Sequence, residues 1–298
     1  MAAALAHPTH GGAVTRRLGA YVLPGDTVWL ERSLRQYYPM VDALVVPMPT
    51  DGRGWTGAPV PAAEALELIR SVDTRGILTV VGGSWVDQGD PMRADTAQRQ
   101  AAVDELSGSV GWILQLDNDE YLPHPELLHA ALDEADRLGL DAVEWPMRVL
   151  YRRTRKRVYE VVAADGRPRY DYPGPIAVRA GTRLSDARRT GAGFLRLVIA
   201  GDTRSLQVSR PEEPGEHRVT LLEHDHAILH NSWARSPEET RQKLRSWGHS
   251  TGFASRRYYW TTWWPSPLLW RVQRDVHPFS RELWPALMPR RNAGELSD

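Results

Sequence analysis

Short apolar runs alternate with segments of helical periodicity along most of the chain. The runs 17–23, 41–46 and 76–81 each end at Gly or Pro and are typical of buried strands, whereas 62–71 and 95–106 place apolar residues at helical spacing. Strands that alternate with helices in this way form parallel sheets. The pattern therefore predicts an α/β fold in which a mostly parallel central sheet is flanked by helices.

One apolar run, 111–116, ends in two acids one residue apart, Asp117 and Asp119. It predicts a fourth buried strand that brings both carboxylates to its C-terminal edge, where ligands bind in open α/β sheets. Because side chains alternate along a strand, we expect both acids to point the same way and to share one divalent cation, Mn²⁺ or Mg²⁺. Such a cation would leave room for the phosphate oxygens of a diphosphate-bearing substrate.

Three histidines follow much later, at His224, His226 and His230. The last precedes clear helix-start signals, because Ser236 is a good N-cap and Pro237 suits the first helical position. We therefore expect His230 to be held at the end of a strand, where its imidazole could reach a metal. A continuous strand would also place all three histidines on one face, so a zinc site is the alternative to a site built on the acids.

Other segments are less regular. The pattern predicts a helix over 125–138, a strand over 142–150, and loops with short strands rather than a second core over 151–201. The basic residues of 152–157 favour a solvated turn, with an anion site as the alternative. The Trp- and Tyr-rich stretch 258–270 is predicted to pack back on the core or across a dimer. A sugar-stacking or membrane-interface surface is the alternative reading.

Composition narrows the function classes. The chain has 37 basic and 37 acidic residues, so no global charge draws it to nucleic acid. It has no cysteine, which excludes disulfides and thiolate ligands and leaves metal chemistry to His, Asp and Glu. Residues 1–16 show no signal-peptide pattern and are expected to be a loose leader. No run approaches the roughly 18 apolar residues of a membrane-spanning helix. We expect a cytoplasmic protein, with peripheral membrane contact and a homodimer both compatible with the sequence.

Two segments carry a family resemblance. The segment from Trp112 to Glu120 resembles the strand and D-x-D motif of GT-A fold glycosyltransferases, in particular a family-two-like branch. The segment from His230 to Glu239, with Lys243 beyond it, is similar to the histidine-plus-helix segment of the same proteins. The resemblance covers about 17–250 and leaves 251–298 as an aromatic- and proline-rich C-terminal extension.

The resemblance implies a Rossmann-like nucleotide-sugar fold and a metal-dependent glycosyltransferase. Its donor would be a nucleotide sugar, a UDP-sugar foremost, and its acceptor the hydroxyl of a saccharide or small natural product. The divalent cation would stabilise the nucleoside diphosphate leaving group. The implied metal ligands are Asp117, Asp119 and His230, with Asp117 near the ribose or the metal. The helix that carries Arg93 and Arg99 would face the donor, with Arg99 on the diphosphate.

The chain departs from the family pattern at two places. The second strand is followed by Pro47-Met-Pro-Thr-Asp51 rather than Asp-Asp-Gly-Ser, so Asp51 is the candidate for base recognition without the usual motif. No motif marks the catalytic base of an inverting enzyme. Besides Asp119, the candidate catalytic acids are Glu144 and Asp171, with Asp225 as a further one, and the sequence does not choose between inversion and retention.

Three other classes remain open at this point. A catalytically inactive sugar-nucleotide-binding protein of the same fold would carry the same motifs. A sugar-nucleotide pyrophosphorylase should open with a Gly-rich basic loop after its first strand, and 21–26 is not one. Among metal-dependent phosphate-ester hydrolases, the haloacid-dehalogenase type also uses D-x-D. Its nucleophile follows the first strand, however, with Thr or Val two residues past the second Asp, where this chain has Tyr121.

Overall fold

The computed structural model describes residues 17–246, 256–278, 280 and 282–291. The predicted leader 1–16 and the predicted boundary between 250 and 251 lie outside these residues. The strands are β1 Leu18–Tyr21, β2 Ala43–Pro49, β3 Leu78–Gly83, β4 Trp112–Leu114, β5 Glu120–Tyr121, β6 Ala142–Glu144, β7 Met147–Arg153, β8 Arg157–Val162, β9 Ala177–Arg179, β10 Leu184–Asp186, β11 Arg189–Thr190, β12 Phe194–Ile199, β13 Glu216–Leu222, β14 Ile228–His230 and β15 Ala286–Arg291. The helices are α1 Leu30–Tyr37, α2 Ala62–Val72, α3 Pro91–Leu106, α4 Leu127–Leu138, α5 Leu206–Ser209, α6 Pro237–Ser246 and α7 Ser266–Leu269, with 3-10 turns at Tyr38–Met40 and His224–His226 and a π-helical turn at Tyr259–Trp263.

The main sheet of the described residues has eight strands in the order β13-β12-β6-β9-β4-β1-β2-β3. Strand β9 runs antiparallel to its neighbours β4 and β6, and the other pairs are parallel. Helices α1, α2 and α3 connect β1 to β2, β2 to β3 and β3 to β4, whereas after β4 the chain turns into β5 of a second sheet. This confirms the predicted α/β class, with a Rossmann-like layout of a mostly parallel sheet between helices.

Helices cover both faces of the main sheet. Apolar residues of α1, α2 and α4, among them Leu34, Ile69 and Leu132, pack on one face in the largest core cluster. Helix α3 packs on the other face through Val103 and Leu106. It begins at Pro91 rather than at the predicted residue 95, because the Asp90 side chain accepts a hydrogen bond from the Arg93 backbone N–H and caps the helix there.

A second sheet follows the order β15-β8-β7-β14-β5. The predicted strand 142–150 is divided between the two sheets, because Trp145 and Pro146 interrupt the ladder and let the chain leave the main sheet after β6. The expectation of no second core in 151–201 is wrong. Strands β7 and β8 contribute Tyr151 and Val161 to a separate buried cluster, which the C-terminal aromatic residues complete.

The C-terminal segment packs on this second cluster, as predicted, but only with one side. Trp263 is fully buried, and its Nε1 donates a hydrogen bond to the Trp233 carbonyl at 2.9 Å. Trp260 and Trp264 are exposed instead. Of the basic residues in 152–157, Arg152 is buried with its guanidinium 3.7 Å from the centre of the Trp263 ring, so the solvated turn applies only to its exposed neighbours. In the part of the chain that the structure describes, no helix is long and apolar enough to cross a bilayer.

Candidate functional site

The two acids of the D-x-D segment lie in a turn that follows β4. The strand ends at Leu114, and the Glu120 backbone N–H donates to the Asp117 carbonyl at 2.9 Å, which closes the turn. The expectation that strand alternation aims both carboxylates the same way is therefore wrong. Each acid is instead held by its own set of cations at the C-terminal edge of the main sheet.

Asp119 is the most heavily paired acid of the site. Its Oδ2 accepts hydrogen bonds from Lys243 Nζ at 2.9 Å and from Arg235 Nη2 at 2.7 Å. Its Oδ1 lies 3.7 Å from His230 Nε2. Burial opposes ionisation of Asp119, but Lys243, His230 and Arg235 outweigh burial and hold the pKa of this carboxyl well below its usual range.

The second sheet brings His230 to Asp119. Strand β14 pairs antiparallel with β5, which places His230 opposite Glu120, the residue after Asp119. The Asn231 backbone N–H then donates to the Asp119 carbonyl at 2.7 Å. The structure therefore brings together Asp119 and His230, which stand 111 residues apart in the chain.

Helix α6 supplies the lysine of the site. As the sequence indicates, Ser236 and Glu239 form a capping box, in which each side chain accepts the other residue's backbone N–H, at 3.2 and 2.7 Å. Lys243 lies on the second turn of this helix. Sequence spacing suggests a surface pair between Glu239 and Lys243, but the lysine points inward to Asp119 and to the Ser232 carbonyl, 2.9 Å away.

Asp117 faces α3. Its Oδ1 lies 2.9 Å from Arg99 Nη1, while Arg99 Nε donates to Asp95 Oδ1 at 2.7 Å. Burial opposes ionisation of Asp117, but Arg99 and Arg188 outweigh it and lower the pKa of this carboxyl. The Asp117 side chain is 31% exposed, against 11% for Asp119, so Asp117 is the more accessible of the two to a ligand. Arg99 therefore lies beside the acids, and its contact with a donor diphosphate stays a prediction.

Two further ion pairs hold the turn and were not anticipated from the sequence. Glu120 and Arg188 form two parallel hydrogen bonds of 2.7 Å, both side chains being buried. Arg235 bridges Asp119 to Asp26, which follows β1. No local pattern predicts the ion-pair partner of Arg188 or of Asp26, because these partners lie 68 and 209 residues away in the chain.

Asp171 lies beside this site at the junction of the two sheets. It forms an isolated bridge with Met147 of β7, and Trp284 Nε1 donates to its Oδ2 at 2.7 Å. Burial raises the pKa of Asp171, although the hydrogen bond from Trp284 and the charges of Arg169 and His230 oppose this. His230 is therefore within electrostatic reach of both Asp119 and Asp171.

The other candidate catalytic acids have different surroundings. Glu144 lies at the end of β6, 2.8 Å from Arg196 Nη1, and burial raises the pKa of Glu144 to about 7. Arg196 is shared with Glu216, whose Oε1 accepts from Arg196 Nε at 2.7 Å. Asp225 is exposed in the His224–His226 turn.

Two predicted donor-binding residues make no hydrogen bond or ion pair to the Asp117–Glu120 turn among the described residues. Arg93 lies in the first turn of α3, is 76% exposed in its side chain and pairs with Asp87. Asp51 lies in the exposed turn after β2, where its Oδ1 accepts from the Arg53 backbone N–H at 3.0 Å. Both remain predictions for contacts with a donor.

The three histidines do not form a common face. His224 and His226 occupy a 3-10 turn rather than a strand. His224 Nδ1 lies 2.7 Å from the Tyr170 hydroxyl, and His226 Nδ1 accepts from the Glu223 backbone N–H at 3.1 Å. The strand geometry behind the zinc alternative is thus absent.

No family model matches the chain, and no curated protein matches it by sequence. Among solved structures, the chain is similar to 4-diphosphocytidyl-2C-methyl-D-erythritol synthase from Anaerococcus prevotii DSM 20548, with a TM-score of 0.33 and 13% identity over 56% of this chain and 72% of that chain. Another structure of 4-diphosphocytidyl-2C-methyl-D-erythritol synthase has a TM-score of 0.33 and 16% identity, covering 57% of this chain and 78% of its own.

Proposed function

We propose that this protein is a glycosyltransferase that moves a sugar from a nucleotide-sugar donor, a UDP-sugar foremost, to an acceptor hydroxyl. The observation that carries the proposal is that the two oxygens of the Asp119 carboxylate have different partners. One oxygen is held by Lys243 and Arg235, and the other faces His230 at the C-terminal edge of a parallel sheet. Ligands of open α/β sheets bind at that edge. An acid held in this way is suited to organise a diphosphate rather than to act as a nucleophile.

The donor atoms fit a divalent cation. Asp119 Oδ1 and His230 Nε2 are 3.7 Å apart, which is too far for a hydrogen bond. Two ligand atoms with metal bonds of about 2.1 Å can lie up to about 4.2 Å apart. Asp117 Oδ1 is buried and receives no well-directed hydrogen bond from the described residues, although Arg99 is close to it.

Asp119 and His230 would hold this cation, with Asp117 as the third predicted ligand. Among the described residues, no three His, Asp or Glu side chains are already grouped as a metal site. Substrate phosphates and water would therefore complete the shell, as is usual for such cations. Carboxylate oxygens with an imidazole nitrogen favour Mn²⁺ over Mg²⁺. When bound, the ion would stabilise the negative charge of the diphosphate leaving group.

The cations of the chain orient the acids and the donor. Lys243 and Arg235 keep Asp119 ionised and fix the direction of its free oxygen. Burial lowers the pKa of Lys243, with the charge of Asp119 acting against that shift, so the two groups stabilise each other's charged form. Arg99, between Asp95 and Asp117, is placed to share its guanidinium with a donor phosphate.

Asp171 is the best-placed candidate for the base of an inverting reaction. It is partly exposed, its Oδ2 is held by Trp284, and burial raises its pKa, which makes the carboxylate a better proton acceptor. Glu144 is paired with Arg196, and Asp225 is exposed in the His224–His226 turn. On these grounds we propose that Asp171 takes the proton of the acceptor hydroxyl.

The proposal is tested by measuring nucleoside diphosphate release from a panel of nucleotide sugars, with Mn²⁺ and with chelator. We expect release from at least one donor in the presence of Mn²⁺. In parallel, thermal unfolding should show that the matching nucleoside diphosphate raises the melting temperature more with Mn²⁺ than with chelator. Neither release nor stabilisation by any nucleotide would overturn the proposal. Stabilisation without release would identify a binding protein, and hydrolysis of simple phosphate esters would identify a hydrolase.

The metal assignment has a matched pair of variants. His230→Ala should weaken Mn²⁺-dependent nucleotide binding by on the order of tenfold or more, because a ligand of the ion is lost. His226→Ala removes an imidazole four residues away that hydrogen-bonds the Glu223 backbone, and it should leave nucleotide binding unchanged. Equal nucleotide affinity in chelator and in Mn²⁺ would rule out the cation while leaving transfer itself open to the release assay.

A further inference from the structure

The C-terminal segment presents an apolar stripe to solvent. Of the seven exposed large hydrophobic side chains in the described residues, five lie between residues 260 and 272. These five, which we call the apolar stripe, are Trp260, Trp264, Leu268, Leu269 and Val272, with exposed fractions of 57, 45, 87, 43 and 73%. Four of them stand at intervals of four residues through a nearly continuous helical stretch, and the two Trp rings are 5.8 Å apart. Monomeric proteins rarely leave such a grouping exposed without a partner.

The stripe is rigidly held rather than loosely attached. On the opposite side of the same helical stretch, Trp263 is fully buried and donates to the Trp233 and Tyr151 carbonyls. The Gln273 side chain donates to the Thr262 carbonyl at 2.7 Å, which ties the end of the stripe to its beginning. The exposed side chains are thus the outer face of a segment whose inner face belongs to the core.

The charge around the stripe is mostly positive. The whole chain is electrically balanced, yet residues 256–275 contain four Arg residues and one acid, Asp275, which is exposed directly after Arg274. The four arginines, Arg256, Arg257, Arg271 and Arg274, are exposed beside the stripe, and none forms an ion pair with another described residue. Arg271 lies 4.8 Å from the centre of the Trp270 ring. The border of the stripe therefore carries an excess of positive charge.

We propose that the apolar stripe docks this protein on the surface of an anionic lipid bilayer. Leucine, valine and tryptophan side chains would enter the interface between headgroups and acyl chains, where tryptophan is favoured, while the arginines would contact lipid phosphates. A symmetric dimer through the same face would bring the arginines of two copies together with only Asp275 of each copy beside them to balance the charge. The charge pattern thus selects an anionic bilayer over a second copy. This inference does not depend on the proposed function.

The test is co-sedimentation of the full chain with vesicles of phosphatidylcholine alone and of phosphatidylcholine mixed with phosphatidylglycerol. We expect binding to the mixed vesicles, little binding to the neutral ones, and loss of binding as the salt concentration rises. The double variant Leu268→Ser with Val272→Ser should lower vesicle affinity by about tenfold or more, because both apolar contacts are lost. Arg271→Ser with Arg274→Ser should reduce the preference for anionic vesicles.

Leu206→Ser is the matched control, since Leu206 is 40% exposed on α5 and lies outside the stripe. It should bind vesicles as the unmodified chain does, and the melting temperatures of all variants should agree. The proposal is overturned if neither vesicle binds the unmodified chain, or if the Leu268 and Val272 variant binds as well as the control. It is also overturned if that variant converts a dimer into a monomer while vesicles are not bound.

Discussion

At the scale of single residues, the site depends on how its carboxylates are shared among cations. Asp119 is 11% exposed and takes two hydrogen bonds from cations on one oxygen, which leaves the other oxygen directed at His230. Arg235 extends this arrangement to Asp26, so one guanidinium connects the loop after β1 to the loop after β4. Removing one member of such a buried group destabilises the fold, because it leaves another desolvated charge without its partner.

Asp119→Asn should therefore cost stability as well as activity. Loss of the charge leaves Lys243 and Arg235 buried without their common partner, and we expect the free energy of unfolding to fall by about 3 kcal/mol. Urea denaturation measures this change. Asp104→Asn is the control, because Asp104 pairs with Arg183 at 3.4 Å while 56% exposed and should change stability by less than about 1 kcal/mol. Equal losses of stability in the two variants would contradict the inference that Asp119 compensates the buried charges of Lys243 and Arg235.

Trp284→Phe should shift the pH dependence of the proposed glycosyl transfer. The indole N–H donates to Asp171 Oδ2 and lowers the pKa of that carboxyl, against the larger effect of burial, which raises it. Without this donor the pKa of Asp171 rises further, and the carboxylate that we propose as the proton acceptor is formed only at higher pH. We expect the acidic limb of the kcat/KM profile to move to higher pH.

The pH profile of Asp171→Asn is the comparison for that of Trp284→Phe. This variant should lose turnover at every pH while still binding nucleoside diphosphate, since it removes only the proposed proton acceptor. If Trp284→Phe instead lowers kcat/KM uniformly with no shift of the acidic limb, Trp284 has a packing role alone.

At the scale of elements, the interruption between β6 and β7 organises the second half of the molecule. Strand β6 pairs with β12 in the main sheet, and after Pro146 the chain continues as β7 beside β14 in the second sheet. Glu144 is the last residue of β6, where Arg196 of β12 lies between it and Glu216. Two carboxylates, one at the last residue of β6 and one at the first residue of β13, thus share one buried guanidinium.

Glu144 should make stability depend on pH. Burial raises the pKa of Glu144 from 4.5 to about 7 in the folded protein. Between these values the folded chain keeps a proton that the unfolded chain releases, so stability falls as pH rises, by about 3 kcal/mol in total. Glu144→Gln cannot titrate, so the stability of the unmodified chain relative to this variant should decline by that amount from pH 4.5 to 8. Urea denaturation at both pH values, with the exposed Glu67→Gln as a charge control, measures it.

At the scale of the whole molecule, the site lies where three parts of the chain meet. The main sheet supplies Asp117 and Asp119, the second sheet supplies His230, and the C-terminal segment supplies Trp284 against Asp171. The second sheet and the C-terminal segment share one buried cluster, which includes the fully buried Trp263. The geometry of the site therefore depends on packing well outside it.

Trp263→Ala should test this dependence. The substitution removes a fully buried ring, two hydrogen bonds to carbonyls and the aromatic partner of Arg152, and we expect it to cost about 3–5 kcal/mol of stability. Trp264→Ala, at the neighbouring position, removes a ring that is 45% exposed and should cost about 1 kcal/mol or less. Denaturant unfolding of both variants checks the contrast, and similar losses would contradict the assignment of inner and outer faces.

Local patterns were sufficient for the class of fold and for the location of the site. The alternation of apolar runs with helical periodicity, the capping box at Ser236 and Glu239 and the acids after β4 all depend on residues near one another in the chain. The physical reason is that hydrophobic periodicity and capping act within one or two turns or strands. The α/β class, the first residue of α6 and the position of Asp117 and Asp119 at the sheet edge follow from them.

Only the tertiary structure decided which charges meet. Lys243 pairs with Asp119 rather than with its helical neighbour Glu239. Arg188 pairs with Glu120, and Trp284 donates a hydrogen bond to Asp171, which lies 113 residues earlier in the chain. Electrostatic pairing depends on separation in space and on desolvation, and both are set by how the two sheets pack. The tertiary structure also decided which face of the C-terminal segment is buried. Its sequence is rich in aromatic residues on both faces, and only burial distinguishes Trp263 from Trp264.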